Sequence, residues 1–170
     1  MGKRPRLRPE PNQTDEIIEL SGWIFVVILW GLSLYSYSTL PDRIPTHFDV
    51  AGMPDKWGSR NAFFVLPVVG TVVFIGLTIL NRYPYLFNYP VTITNENALA
   101  QYTNATKMMR WLKLSLGLLW CLINRFTYSV SGGKANRFNY WLLSIPVLMI
   151  LIPTIYFTTK SIKMDKKTEL

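Results

Sequence analysis

The chain has 170 residues, 49% of them apolar and only 16% charged, with a formal charge of +8. Soluble domains average about 25% charged residues, so these clustered apolar runs exclude an ordinary water-soluble core. The cations flank the runs, where anionic lipid attracts them, which excludes nucleic acid as the reason for the positive charge.

The length fits one domain. Residues 1–16 form a basic tail, proline-rich to Thr14, with Lys3, Arg4, Arg6 and Arg8. Such a segment is expected to be disordered or to lie on a membrane surface. The first predicted span, 17–39, is roughly 35 Å long as a helix. It is too long for a signal-peptide core, and no small-residue cleavage site closes it. Glu19 lies in its first turn, where the helix dipole tolerates an anion. Pro41 stops it.

The second span is 62–80, with Pro67 near its start and Gly70 and Gly76 available for close helix contact. Residues 81–94 are polar and aromatic. Thr94 or Asn95 then N-caps a helix with Glu96 in its first turn. Leu99, Tyr102, Ala105, Met109 and Leu112 recur at helical spacing, and this amphipathic stretch runs directly into a third span, 108–128. Lys113 and Arg125 are expected to snorkel from its two ends, with Arg125 the most deeply placed charge. Ser131–Asn136 reads as a tight turn, which makes the third span antiparallel to a fourth, 138–159. Pro146 and Pro153 should bend that span. A second basic tail, 160–170, carries Lys160, Lys163, Lys166 and Lys167.

The fold class expected is therefore all-α integral membrane: four transmembrane helices within a membrane domain over 17–159, and a structured extracytoplasmic loop between helices 1 and 2. Lys and Arg number four before the first span, four around the second connection and four after the last. Twelve of the eighteen thus share the side of the termini, and three in each of the other two connections make six. The positive-inside rule then places both termini in the cytoplasm of a multi-pass cell-membrane protein.

The loop Leu40–Asn61 holds the single histidine, His47, and three of the ten acidic residues, Asp42, Asp49 and Asp55. Pro41, Pro45, Gly52, Pro54 and Gly58 argue for a fixed, non-helical shape. As a strand, Ile44, Thr46, Phe48 and Val50 would share one face and Pro45, His47 and Asp49 the other. Three readings of His47 stay open: a metal ligand with Asp49 and other carboxylates, a pH-sensitive switch, or a structural hydrogen bond. His47, Asp49, Asp42, Asp55, Trp57 and Arg125 are the candidate binding residues. No catalytic set, resident metal or cofactor motif is found, including no Ser-His-Asp elbow, His-Glu-x-x-His or phosphate loop. Cys121 sits inside an apolar run and reads as a small buried residue.

Leu40-Pro41, Pro45 to His47, Gly52 to Asp55 and Gly58, followed by Phe87-Asn88-Tyr89-Pro90, Thr94 to Asn97 and Tyr102, form two separated motifs. Together they resemble a bacterial integral-membrane domain of unknown function, number 1648, found at the N-terminus of SdpI-type immunity proteins. The resemblance covers about 17–114 and implies no established catalytic residues. Longer immunity proteins of this type are expected to add further spans.

The expected function is non-enzymatic: an envelope sensor or immunity-type factor that recognises a peptide, a lipid or a membrane-protein partner. The alternatives are a small transporter or its accessory subunit, and a metal-dependent membrane enzyme at the outer face. The lipid bilayer is the expected partner and nucleic acid is not. Oligomeric state is not readable from the sequence.

Overall fold

A computed structural model describes residues 4–136 and 140–168. The predicted start of the fourth span at Phe138 lies outside the described residues, as do Lys3 and the last two residues. Helix α1 covers Gln13–Tyr37, strands β1 and β2 cover Arg43–Phe48 and Pro54–Ser59, and a 3-10 turn over Arg60–Phe64 leads into α2, Val65–Leu80. Helix α3 covers Ala98–Ser131 and α4 covers Ser144–Thr168. The chain is thus predominantly helical, with one antiparallel hairpin where the structured loop was expected.

Helix α1 begins four residues earlier than the apolar run. Asn12 accepts from the Asp15 amide at 2.9 Å, and the Asp15 carboxylate accepts from the Asn12 amide at 3.0 Å. This reciprocal capping box ends the basic tail at Pro11. Of the tail expected to be disordered or to lie on a membrane surface, Arg4 and Pro5 are held by the connection between α2 and α3 and by α3. Arg4 donates to the carbonyls of Tyr85 and Phe87 and stacks on Tyr89, while Tyr102 donates to the Pro5 carbonyl.

The buried residues of α1 are Asp15, Ile18, Gly22, Val26, Leu29, Ser33 and Ser36, three or four apart. Its exposed residues include Ile17, Leu20, Ile24, Val27 and Leu34. The inward face mixes polar and small residues with Ile18, Val26 and Leu29, while the outward face is large and apolar, unlike a soluble helix. Gly22 and Gly117 let α1 and α3 approach closely: a Cβ on either would stand 2.9 Å from Phe74 or Phe25. Gly70 likewise admits the Trp120 ring. Gly76 meets nothing, so only one of the two expected α2 glycines serves packing.

By length and composition three helical segments among the described residues can cross a membrane: Gln13–Tyr37, Arg60–Leu80 and Trp141–Asp165. They include the first, second and fourth expected spans; the expected third falls on α3. Helix α3 is the longest at 34 residues, but Lys107, Arg110, Lys113 and Arg125 interrupt its apolar face. It is the central helix, packed mainly on α1 and α4. Thr94 and Asn97 exchange side-chain-to-amide hydrogen bonds before α3, so the expected Thr94 cap is present one turn ahead of the first assigned residue. Gly133, with φ of +67°, closes the predicted turn after α3.

Helix α4 continues through the predicted second tail to Thr168. Gln101 and Ser161 exchange hydrogen bonds, and Asn104 donates to the Phe157 carbonyl at 2.7 Å. Asn97 donates to Asp165 at 3.1 Å. These side chains of α3 hold the last turns of α4 in antiparallel register. Of its prolines, only Pro153 interrupts the helix interior. Pro146 is in the first turn, where no backbone bond is lost.

Candidate functional site

The hairpin is fixed before it is functional. Leu40, Ile44 and Phe63 form a buried cluster with Tyr37, Ala62 and Tyr128 packed around it. Tyr37 donates to Asn61 at 2.6 Å, and the hydroxyls of Thr39 and Tyr128 meet at 3.0 Å. The Arg60 amide donates to the Asp42 carbonyl at 2.9 Å, closing the base. The cap is thereby joined to the end of α1, the start of α2 and the last turns of α3.

Register pairs Pro45 with Trp57 but His47 with Lys56, leaving Thr46 as a bulge. The bulge breaks the expected two-face alternation, so Ile44 and Pro45 are both buried while Thr46 and His47 are both exposed. Gly58 is required here, because a Cβ would stand 2.8 Å from Thr46. At the tip, the Asp49 carboxylate accepts from the amides of Ala51 and Met53 at 2.8 and 2.9 Å. Gly52 takes the left-handed conformation with φ of +80° that the turn needs.

The structure brings two of the six candidate residues into contact: the Nδ1–H of His47 donates to Asp55 at 2.6 Å. Both side chains are about half exposed, so solvent screens the pair to under about 1 kcal/mol. Asp49 shapes its own turn, Asp42 is exposed beyond its backbone bond, and Trp57 is 49% exposed. Arg125 is on α3, stacked on Tyr128 and bonded to Ser129. Among the described residues no three His, Cys, Asp or Glu gather as metal ligands.

Arg125 is exposed, and the most buried charge is Lys113, at 1% exposure. Lys113 does not snorkel. Its ammonium donates to Glu19 of α1 and, at 2.9 Å, to Thr78 of α2, and lies over the Phe74 ring at 4.9 Å. Arg110 stands 3.8 Å from Asp15 and 3.9 Å from Glu19, and Lys107 lies 3.9 Å from Asp15. Two acids of α1 thus face three cations spaced three apart on α3. A cavity of about 400 Å³ opens beside them, lined also by Trp23, Asn81 and Arg82. Buried charges in apolar surroundings are kept only when paired, and then mark places where ions or polar ligands are handled.

Sequence reasoning missed this cluster because its partners lie 94 residues apart. Asp15 and Glu19 at one end of α1 and Lys107, Arg110 and Lys113 at equal spacing on α3 were the available signal.

The class defined is a helical bundle with an apolar outside, a charged inner seam and a stapled β-hairpin cap. Residues 24–71 match the family model described as Domain of unknown function (DUF1648), the domain that the Leu40–Gly58 signature resembles. The match spans most of α1, the whole hairpin and the start of α2. The second motif, Phe87–Tyr102, lies outside it. An uncharacterized protein of Archaeoglobus fulgidus is 27% identical over 95% of this chain and 97% of its own length. No solved structure matches the chain.

Proposed function

We propose that this is a non-enzymatic integral membrane protein that recognises a peptide, lipid or protein partner through its hairpin, as an envelope sensor or immunity-type factor. In this reading α3 is the fourth span. At 34 residues it is roughly 50 Å long, and three of its charges, Lys107, Arg110 and Lys113, face the carboxylates of α1. The excess of Lys and Arg on the side of the termini puts both ends in the cytoplasm and the hairpin outside.

One observation carries the reading: a cap fastened to three helices presents exposed apolar side chains, Val50 and Met53 at its tip and Trp57 midway along β2. Val50 is fully exposed, Met53 nearly half and Trp57 half. Such groups on a held backbone form a recognition surface at low entropic cost. His47 and Asp55 then act as a strand clip rather than as reacting groups.

The test uses cells carrying the wild-type chain or the variants Val50→Ser, Met53→Ser and Trp57→Ser, challenged with membrane-active peptides. A tag beside Trp57 reports topology. Tag access from outside, with peptide susceptibility that changes in the tip variants and not in His47→Ala, is the expected result. A tag reachable only from the cell interior, or identical susceptibility in every strain, would end the proposal.

A second reading, a small transporter, is favoured by the Lys113–Glu19 pair beside an open cavity. Substrate uptake by purified protein in liposomes, abolished in Lys113→Met, would establish it in place of the first.

A further inference from the structure

Among the described residues three buried side-chain oxygens have no hydrogen-bond partner: Oδ1 of Asn81, Asn104 and Asn124. Each of these asparagines lines a cavity. An orphaned buried carbonyl costs about 1–3 kcal/mol, so its position indicates where a donor belongs. The surroundings decide which of the three needs a ligand. Asn81 borders the charged cavity, and Asn104 shares its cavity with Gln101, Asn88, Thr158 and Ser161. Water finds the several polar partners it requires in both places.

The Asn124 cavity differs. It has a volume of about 340 Å³ beneath the hairpin, between α2 and α3. Its walls include Ile44, Phe63, Leu66, Val69 and Ile123. Beyond Asn124 its polar side chains are Thr46 and Thr127, and the Thr127 hydroxyl is already donated to the Ile123 carbonyl at 3.0 Å. A water here has at most three polar partners, Asn124, Thr46 and the accepting side of Thr127, on an otherwise apolar wall, so an amphiphile's hydroxyl can take its place while the chain covers that wall. In the arrangement observed, Ser33 gives its hydroxyl proton to the Leu29 carbonyl at 2.8 Å and accepts from the Asn124 amide nitrogen at 2.9 Å. Oδ1 is therefore the free atom, on a residue only 2% exposed. Val65 and Val69 of the wall are themselves half exposed on the apolar outside of the bundle, which gives the cavity a mouth on that face.

We propose that this cavity binds a single-chain amphiphile drawn from the surrounding bilayer. Its alkyl chain packs against Val69, Leu66 and Ile123, and its terminal hydroxyl donates to Oδ1 of Asn124. The volume is near the lower end of small-molecule sites, about 300–1,000 Å³, which suits one chain and not two. The proposal rests on the membrane reading above and adds a ligand class to the underside of the same cap.

The test uses the full chain in lipid nanodiscs, with 1-dodecanol and n-dodecane as probes at equal mole fraction in the lipid. Affinity is read from the concentration dependence of the melting temperature. The alcohol should bind about tenfold tighter than the alkane, the ratio one net hydrogen bond supplies. Asn124→Leu should abolish that preference. Leu66→Trp, which fills the cavity and leaves the Ser33–Asn124 bond in place, should abolish binding of both probes and keeps the test decisive if Asn124→Leu folds poorly. Equal affinities, no binding of either probe, or an alcohol preference surviving both variants would overturn the proposal. The membrane reading would stand in each case, because it is lost only if the purified chain is monodisperse in plain buffer.

Discussion

The Lys113–Glu19 pair should respond asymmetrically to substitution. Glu19→Gln leaves the Lys113 ammonium buried at 1% exposure without a counter-charge in contact, keeping a neutral amide acceptor beside the Thr78 hydroxyl and the Phe74 ring. Removing one partner of a buried pair costs about 3–5 kcal/mol. The retained amide acceptor puts the expected value at the low end, about 3 kcal/mol. Lys113→Met leaves Glu19 one-quarter exposed and still 3.9 Å from Arg110, so its cost should be nearer 1 kcal/mol. The double variant Glu19→Leu with Lys113→Met removes both charges together, and replacing a buried pair by apolar groups is often close to neutral. Its stability should therefore lie within about 1 kcal/mol of wild type. Unfolding by sodium dodecyl sulfate titration in mixed micelles, followed by circular dichroism, measures all four chains. A Glu19→Gln cost no larger than that of Lys113→Met would refute the assignment of Lys113 as the buried, dependent partner. So would additive single costs in the double variant.

Glycine substitutions should separate close helix contact from mere helix permissiveness. Gly22→Ala and Gly117→Ala place a Cβ 2.9 Å from Phe74 and Phe25 and should each destabilise by about 1–3 kcal/mol. Gly76→Ala meets nothing within 4 Å and should be neutral or stabilise by up to about 1 kcal/mol; the same micelle titration checks all three. At the other end, burial and then the neighbouring Tyr102 push Tyr89 above its usual 10, with Arg4 opposing them. Because the folded value is raised, its contribution is complete below pH 10 and is lost as pH rises beyond it. A nitroxide at Leu7 should thus become mobile above pH 10 as the Tyr89–Tyr102 packing and the Tyr102–Pro5 hydrogen bond open, with the Arg4 attraction opposing the change. A label equally immobile at pH 8 and pH 12, with the helices intact, would contradict this.

What the sequence disclosed divides by the range of the interaction. Apolar runs, the Pro41 stop, the Gly133 turn and the shaped loop are local, and they were legible. The Asn12–Asp15 capping box is equally local, but it lies in polar sequence ahead of the apolar run that begins at Ile17, so hydrophobic patterning does not mark it. The strand alternation failed at Thr46, since a bulge depends on what Trp57 and Lys56 can pair with across the hairpin. Arg125 was overrated and Lys113 underrated for one reason. Depth along a helix is visible in a sequence, but the direction a residue faces within a bundle depends on helices not yet placed.

The two ends of the molecule are linked by one seam. On α3 the inward residues Lys113, Gly117, Cys121 and Asn124 recur at intervals of four, four and three, and all are buried. Opposite them on α1 stand Glu19, Gly22, Phe25 and Ser33: Glu19 pairs with Lys113, the Phe25 Cβ closes on Gly117, the Cys121 thiol donates to the Phe25 carbonyl and Ser33 accepts from Asn124. Eleven residues, roughly 17 Å of helix, separate the buried ammonium from the orphaned carbonyl beneath the cap. The Gly117–Phe25 contact sets the two helices at close approach in the middle of that seam. The ionic cluster and the residues beneath the cap thus lie along one interface, α1 against α3.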